Sequence, residues 1–318
     1  MGEVVGAGLL AHVPTIMLPP QERRELNHGN DFSLGPALEQ LRAEVFDTLD
    51  YDTVVVLDSH WFTTVEFVVT AQQQRAGLFT SEELPRGMCR IPYDFPGDPE
   101  LAEAMAAESP RHSTWVTAID DPYLPIFYAT INLWKFLGEG LDRKWVTVSV
   151  PQTGEIEDFL RAGRALGDAI ARLDRKVLLI ASGALSHTFW KLRQLRDHES
   201  AGLEHIRTAE ARAADEERIE WFKAGDHARV LDTMPEFLRY RPEAMFAHYL
   251  MMAGAIGEGD CTATARQYGE YENSIGTGQV HLWFDRPDAG FPRARSTPAD
   301  PEYDRQMSAP GADVSAAG

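Results

Sequence analysis

Three of the ten histidines in this 318-residue sequence stand at the ends of apolar, strand-like runs. His12 ends GAGLLAH, His60 ends VVVLDSH and His187 ends LIASGALSH. In open α/β sheets, ligand sites lie at the carboxyl ends of the strands, where segments distant in sequence converge. A single histidine in this position often only caps a loop. Its recurrence at three strand ends favours one shared site.

Histidines gathered in this way are suited to binding a metal ion. Neutral imidazole is the commonest protein metal ligand, and two imidazoles with one carboxylate are typical of oxygen-activating iron sites. A zinc site with three histidines fits the same residues, and spacing does not exclude it. The sequence lacks GxGxxG, P-loop, GxSxG and HExxH motifs, and the Gly276-Thr277-Gly278 segment gives a phosphate site only weak support.

The elements that must position these residues alternate between short β-branched runs and longer helical patterns. This alternation predicts an α/β domain with a central, mostly parallel or mixed sheet flanked by helices, and an active site at the C-terminal ends of the strands. Strands are predicted at residues 4–11, 53–58, 65–70, 145–150, 177–181 and 279–284. Helices are predicted at residues 36–48, 99–108, 125–136, 156–173, 202–223, 228–233 and 244–256.

The chain divides into a domain and a tail by composition. Residues 1–287 are predicted to form one catalytic domain, and residues 288–318 a flexible tail rich in Pro, Ala and Gly. A segment with so few apolar side chains cannot bury enough surface to offset the cost of ordering it. Truncation after Pro287 is therefore expected to leave turnover and thermal stability nearly unchanged.

Composition and charge exclude several classes of protein. The chain is 44% hydrophobic and 25% charged, as globular proteins are, and its formal charge of −19 would repel a nucleic acid backbone. Cys89 and Cys261 are too few for a disulfide framework. The apolar run at 126–137 is too short for a bilayer, and the N-terminal residues lack the basic flank of a signal peptide. We expect a cytoplasmic protein that binds neither nucleic acid nor membranes.

Eight segments, in order along the chain, resemble the class III extradiol ring-cleaving dioxygenases, the superfamily of the protocatechuate 4,5-dioxygenase β-subunit. They are most similar to its branch that cleaves 3,4-dihydroxyphenylacetate. The segments are AHVPTIML (11–18), LNHGN (26–30), VVVLDSHWF (54–62), LFTSEELPRGM (78–88), YDFPGDPELA (93–102), LIASGALSH (179–187), MPEFLRYRPEA (234–244) and SIGTGQV (274–280). The resemblance covers almost all of the predicted domain and leaves the tail outside.

The resemblance implies an Fe(II) ion bound by His12, His60 and Glu243, with His187 as the catalytic acid/base. Glu236 is a nearby alternative for the third ligand, although a glutamate at a helix end is usually solvated. Asp58, two residues before His60, could orient a ligand imidazole or equally cap a loop.

Two further positions are assigned by the same comparison. His28 is expected to form a wall of the substrate site, although a loop histidine is as often solvated. Tyr128 stands in DPYLPIFYATINLW, where many relatives carry a histidine, and would be either a catalytic hydrogen-bond donor or a core aromatic. The other histidines are given no part in the site. His248 is expected to be a buried or interface residue of an apolar helix, and exposed positions are expected for His198, His205 and His227.

The activity that the resemblance implies is an Fe(II)-dependent extradiol dioxygenase of aromatic compound catabolism. It would insert both atoms of O₂ into an acidic catechol, with 3,4-dihydroxyphenylacetate as the first candidate, and open the ring to a muconic semialdehyde. The alternatives are cleavage of 2-aminophenol or of protocatechuate- or gallate-type rings on the same iron site, or a non-catalytic member of the fold. A homo-oligomer is expected, and the helix at 244–256 could form its interface. Cations that could hold a substrate carboxylate are Arg90, Lys191, Arg193, Arg239 and Arg241.

Overall fold

A computed structural model describes residues 2–298 and 300–307 of the chain. Its strands are β1 (Glu3–Leu10), β2 (Thr53–Thr63), β3 (Phe67–Thr70), β4 (Gln74–Phe79), β5 (Ile91–Pro96), β6 (Val116–Ile119), β7 (Lys144–Pro151), β8 (Lys176–Ser182), β9 (Ala265–Ser274) and β10 (Thr277–Asp285). Eight of them form one mixed sheet in the order β6-β3-β7-β2-β8-β1-β10-β9, and β4 pairs with β5 in a separate antiparallel ribbon.

The centre of the sheet is parallel. β2 pairs in parallel with β7 and with β8, and β8 pairs in parallel with β1. The carboxyl ends of β1, β8 and β2 therefore lie side by side at one edge of the sheet. β10 runs antiparallel to both β1 and β9.

Helices cover both faces of this sheet. They are α1 (Pro20–Leu26), α2 (Leu34–Leu41), α3 (Pro99–Glu108), α4 (Tyr128–Leu137), α5 (Ile156–Arg172), α6 (Ala209–Ala224), α7 (His227–Asp232), α8 (Met234–Phe237), α9 (Ala247–Ala255) and α10 (Pro301–Met307). A π-helical turn continues α2. The 3₁₀ turns are Pro14–Met17, Ser109–His112, Leu192–His198, Leu203–His205, Leu238–Tyr240, Glu243–Phe246 and Glu258–Asp260.

Alternate residues of the central strands face two separate cores. Val55 and Leu57 of β2 pack with α5 and α9, whereas Val54 and Val56 pack with α2 and α4. Because both faces are covered, these strands are apolar throughout, as the sequence indicates. The backbones of α5 and α9 approach so closely that a Cβ atom on Gly163 would lie 2.1 Å from the carbonyl oxygen of Met251. Only glycine fits at this crossing.

The α/β class, the single domain and the mixed sheet flanked by helices are confirmed, and the six predicted strands are present with slightly different ends. The prediction omitted β4, β5, β6 and β9. β6 and β9 are the two edge strands, and many side chains of β4, β5 and β9 face solvent, so they lack the apolar run that marks a central strand. The suggestion of an interface on the helix at 244–256 is wrong, because α9 is buried within the chain.

The predicted boundary at residue 287 stays a prediction, but part of the predicted tail lies against the domain. Thr297 Oγ1 is 2.9 Å from His112 Nδ1, Arg161 forms an ion pair with Asp300 at 2.8 Å, and Phe291 packs against the core. Residues 299 and 308–318 lie outside the described residues. Within the described ranges, no helix has the length and apolarity needed to cross a membrane.

Candidate metal centre

The strand ends that meet at the edge of the sheet bring His12, His60 and Glu243 together. His12 follows β1, and His60 lies near the end of β2. Glu243 Oε1 is 3.4 Å from His12 Nε2 and 3.0 Å from His60 Nε2. One candidate ligand atom from each residue lies within 4.8 Å of the others. This spacing allows all three side chains to bind one metal ion.

Glu243 is presented by a strained turn. The next three residues, Ala244, Met245 and Phe246, all have positive φ angles of 47°, 59° and 63°. Each such residue costs on the order of 1–3 kcal/mol, and such conformations concentrate at functional sites. Burial of the Phe246 ring against Phe237 helps to hold the turn. The strain explains why α9 begins at Ala247 rather than at the predicted residue 244.

The hydroxyl of Ser182 determines which nitrogen of His12 is free. Ser182 Oγ lies 3.0 Å from the carbonyl oxygen of Ala129, which can only accept a hydrogen bond. The hydroxyl proton is used there, so Ser182 Oγ accepts a hydrogen bond from His12 Nδ1 at 2.9 Å. With its proton on Nδ1, a neutral His12 directs the lone pair of Nε2 toward Glu243 and His60, as a metal ligand must.

Glu243 is held by two donors besides the imidazoles. Ser59 Oγ donates to Glu243 Oε1 at 2.7 Å, and the backbone N–H of Ala184 donates to Oε2 at 2.6 Å. These bonds fix both carboxylate oxygens in a buried position.

The Asp58 carboxylate binds backbone N–H groups and does not contact the imidazole ring of a proposed metal ligand. Its Oδ1 accepts the backbone N–H groups of His60 and Trp61, and its Oδ2 accepts the hydroxyl of Thr130 at 2.7 Å. The pairing of β2 with β7 shifts register between Leu57 and Phe62, which is the kind of irregularity that redirects side chains near active sites. Of the two roles left open for Asp58, the structure shows the one that caps the backbone.

The charges in the cluster favour a cation. Burial alone would raise the pKa of Glu243, but the neighbouring imidazoles of His12, His187 and His60 hold it well below its usual value. Burial lowers the pKa of His60, and the hydrogen bond and charge of Glu243 outweigh this effect and raise it. The site therefore contains an ionised carboxylate beside two imidazoles.

Tyr128 and His187 complete the cluster. The Tyr128 hydroxyl is 2.6 Å from His60 Nε2, and burial followed by the charge of Glu243 raises the pKa of the phenol. Burial lowers the pKa of His187, whose backbone N–H donates to the carbonyl oxygen of Arg241. At neutral pH Tyr128 is therefore a donor and His187 is uncharged.

A cavity of about 380 Å³ opens above these residues. This volume is at the lower end of the range for small-molecule sites and suits a single substituted ring. Its lining comprises His12, His60, Tyr128, His187 and Glu243 together with Val13, Pro14, Glu83, Phe189, Trp190, Leu192, Leu195, Ser274, Ile275, Thr277 and Gln279.

The structure thus brings together five of the predicted site residues, namely His12, His60, Tyr128, His187 and Glu243. The alternative ligand Glu236 is exposed on α8, away from the cluster. His28 is exposed on the turn after α1 and is not part of the cavity lining. The substrate contact of His28 and the catalytic roles of the other residues stay predictions. His248 is buried as expected, and burial lowers its pKa to about 3.

Sequence reasoning missed the groups that support the ligands, Ser59, Ser182 and the Ala184 amide, and also missed Glu83. A polar Ser182 directly after five buried apolar residues of β8 is a signal that could have found it. The apolar lining residues Phe189, Trp190, Leu192 and Leu195 have a signal too, because all four follow closely after His187 in the sequence.

Comparisons with known proteins agree with this geometry. A family model described as the catalytic LigB subunit of aromatic ring-opening dioxygenase matches residues 6–284. The chain is 25% identical over 261 residues to a 3,4-dihydroxyphenylacetate 2,3-dioxygenase of Escherichia coli, covering 81% of this chain and 91% of the relative. It is 24% identical over 306 residues to a 2-aminophenol 1,6-dioxygenase beta subunit of a Pseudomonas species, covering 92% and 97%.

One solved structure has the same fold. The crystal structure of an uncharacterised protein of Escherichia coli K12 matches with a TM-score of 0.59 and 17% sequence identity, covering 88% of this chain and 99% of that chain. At this identity the match shows only that the two chains share a fold.

Proposed function

The chain belongs to the LigB family of aromatic ring-opening dioxygenases, and from this premise we propose that it binds Fe(II) through His12, His60 and Glu243 and cleaves a catechol-type ring. The family makes it an extradiol ring-cleavage dioxygenase, a metal-dependent oxidoreductase. The observation that supports the proposed site best is the spacing of the three candidate ligand atoms within 4.8 Å.

The donor set supports iron as the metal. Two imidazoles and one carboxylate are the ligands of non-haem Fe(II) oxygenases, and they leave other coordination positions open. When bound, Fe(II) would supply Lewis-acid activation of the ring hydroxyl groups and electrons for O₂. The Ser182 contact keeps His12 Nε2 free for the metal, and the donors to Glu243 keep its carboxylate oriented.

His187 is proposed as the acid/base. An imidazole whose pKa is lowered by burial is neutral at pH 7, so its ring can take a proton from a hydroxyl group of the substrate in the cavity. Once protonated, the same ring can return that proton to an oxygen atom as the ring opens.

Tyr128 is proposed as a hydrogen-bond donor to the reacting oxygen atoms. Its hydroxyl lies at the cluster, and the raised pKa keeps the phenol protonated at neutral pH. The apolar residues Phe189, Trp190 and Leu195 form the wall beside the ring and reduce the access of water.

Three candidate substrates differ in the substituents on the ring. The acidic catechol 3,4-dihydroxyphenylacetate stays a prediction and needs a cation, yet none of the five candidate Lys and Arg residues lines the cavity. Of these five residues, Arg241 is the best candidate to bind a substrate carboxylate, because its positive charge acts on His187. The second candidate, 2-aminophenol, is the compound that one relative is named for. Protocatechuate- or gallate-type rings are the third.

Metal analysis combined with oxygen uptake tests this function. We expect about one iron per chain, oxygen consumption with a catechol and formation of a yellow semialdehyde. His12→Ala, His60→Ala and Glu243→Ala should each lose iron and activity, because each removes one proposed ligand. Glu236→Ala is the matched control and should retain both. Full iron content in Glu243→Ala together with its loss in Glu236→Ala would reassign the third ligand.

The oligomeric state is a separate proposal. We propose a homo-oligomer on the basis of the sequence expectation, and light scattering of the purified protein measures it directly. A monomer at micromolar concentration would contradict it.

A further inference from the structure

The wall of the cavity carries a negative charge that the metal cluster does not use. Glu83 lies in the loop between β4 and β5, where it is exposed to solvent and also lines the cavity. Its charge acts on both His60 and Tyr128. Its backbone N–H donates to Ser81 Oγ at 3.0 Å, which helps to fix the turn. In the part of the chain that the structure describes, no cationic side chain forms an ion pair with the Glu83 carboxylate.

No lysine or arginine among the described residues lines this cavity to balance Glu83. Arg86, on the same loop, faces Glu22 at 4.0 Å. The charge of Arg241 acts on His187, but its side chain is exposed and is not part of the lining. Glu83 is therefore the charge that a ring substituent on its side of the cavity would meet first.

The rest of the wall strengthens this effect. Phe189, Trp190, Leu192, Leu195 and Ile275 are apolar, and the polar lining residues Ser274, Thr277 and Gln279 carry no charge. A substrate carboxylate placed among them would lose water without gaining a counter-ion, and it would be repelled by Glu83. The formal charge of −19 on the whole chain acts in the same direction at long range, since it attracts cations and repels anions.

We propose that Glu83 selects the charge of the ring substituent, so that the preferred catechols carry an ammonium group or an uncharged group rather than a carboxylate. This inference rests on the proposed function of the cavity. The Glu83 carboxylate would accept a charge-assisted hydrogen bond from a substituent ammonium group, or tolerate an alkyl group that packs on the apolar wall.

Four catechols test the proposal. Three carry ring substituents of similar length that differ in charge, namely 4-(2-aminoethyl)catechol, 4-propylcatechol and 3-(3,4-dihydroxyphenyl)propionate. The fourth is 3,4-dihydroxyphenylacetate. We measure kcat/KM for the iron-loaded protein, and the dissociation constant by calorimetry without oxygen. The kcat/KM of the aminoethyl compound should be about ten- to hundredfold higher than that of the propionate, and its dissociation constant lower by about the same factor, as expected for one charge-assisted contact.

Two variants assign that preference to one side chain. Glu83→Gln should reduce the preference for the aminoethyl compound over the propionate by about tenfold. Glu82→Gln is the matched control, because Glu82 is also exposed and its charge also acts on Tyr128, but Glu82 does not line the cavity. It should change the preference by less than threefold.

The outcomes separate this inference from the proposed function. A wild-type preference for the propionate or the arylacetate that is lost in Arg241→Gln would overturn the role of Glu83 and assign selection to Arg241. Equal selectivity in the wild type and in Glu83→Gln would also overturn it, while the iron site stands. Failure of the iron-loaded protein to bind or cleave any of the four compounds would contradict the proposed function itself.

Discussion

A single hydroxyl group determines how His12 can act. Ser182 Oγ donates a hydrogen bond to the carbonyl oxygen of Ala129 and accepts one from His12 Nδ1, so its removal leaves the imidazole free to rotate and to change tautomer. Hydrogen bonds of this kind to ligand imidazoles typically contribute 10–100-fold to metal affinity.

We therefore expect Ser182→Ala to weaken iron binding by about 10–100-fold, as measured by competition with a chelator. Ser149→Ala is the control, since Ser149 is equally buried in the same sheet but bonds to Val68 N, away from the cluster. Equal iron affinity in the two variants would show that Ser182 does not orient His12.

A second prediction for a single residue concerns His187. His187→Asn should reduce kcat by about 10²–10⁴-fold, the usual contribution of a general acid/base, while iron content and catechol affinity are retained. Single-turnover kinetics measure the rate and the catechol affinity, and metal analysis of the same preparation measures the iron content. A variant without iron would show that His187 is a ligand instead.

Some of these residues can be predicted from the sequence, whereas others cannot, for a physical reason. His12 and His60 are recognisable because each follows an apolar run that marks a strand, and strand ends meet at one edge. The contact between Ser182 and His12 joins residues 170 positions apart, and that between Ala184 and Glu243 joins residues 59 apart. Such contacts depend on the register of β8 beside β1, which no local pattern contains.

At the scale of elements, α6 fixes the loop that carries His187. Asp215, fully buried on α6, accepts the backbone N–H and the hydroxyl of Ser186 and also the hydroxyl of Tyr271. Ser186 immediately precedes His187, so Asp215 would position the proposed acid/base through the backbone. The sequence predicts a helix in this region but not the role of Asp215, because one buried aspartate leaves no periodic signal.

Asp215 should also make stability depend on pH. Burial raises the pKa of its carboxyl to about 7, above the value of 3.8 expected for an unfolded chain. Between these values the folded state binds a proton that the unfolded state has released. The free energy of unfolding therefore falls as the pH rises from about 4 to 7, by on the order of 1.4 kcal/mol per pH unit at most.

Urea unfolding of Asp215→Asn at several pH values measures this contribution. The difference in unfolding free energy between wild type and Asp215→Asn should decrease as the pH rises through that range, because asparagine does not titrate. Glu217→Gln, an exposed change on the same helix, should show no such trend. A constant difference for Asp215→Asn would mean that burial does not perturb this carboxyl.

At the scale of the whole molecule, the segment after residue 287 stabilises the domain without reaching the cavity. It contacts His112, Arg161 and the core, whereas every residue that lines the cavity precedes residue 280. Composition alone predicts a mobile tail, because contacts made by Phe291, Thr297 and Asp300 with distant parts of the chain are invisible in a local pattern.

Truncation after Pro287 should therefore lower the melting temperature by several degrees and leave kcat/KM within about twofold, which differs from the sequence-based expectation for stability. Differential scanning fluorimetry and the oxygen-uptake assay measure the two effects. Truncation after Met307 separates the contribution of the described contacts from that of the residues beyond. An unchanged melting temperature in the first variant would support the boundary at 287 as a true domain end.

The proposed ligands lie far apart in the sequence, and this separation affects the amount of folded protein that a cell would maintain. His12, His60 and Glu243 come together only in the folded sheet, so an unfolded chain offers no comparable site, and iron bound at the proposed site would favour folding by mass action. At a free iron concentration one hundred times the dissociation constant, this linkage is worth about 2.7 kcal/mol. When iron is scarce, more chains would be open to proteolysis, and the steady-state amount of enzyme would follow the supply of its metal.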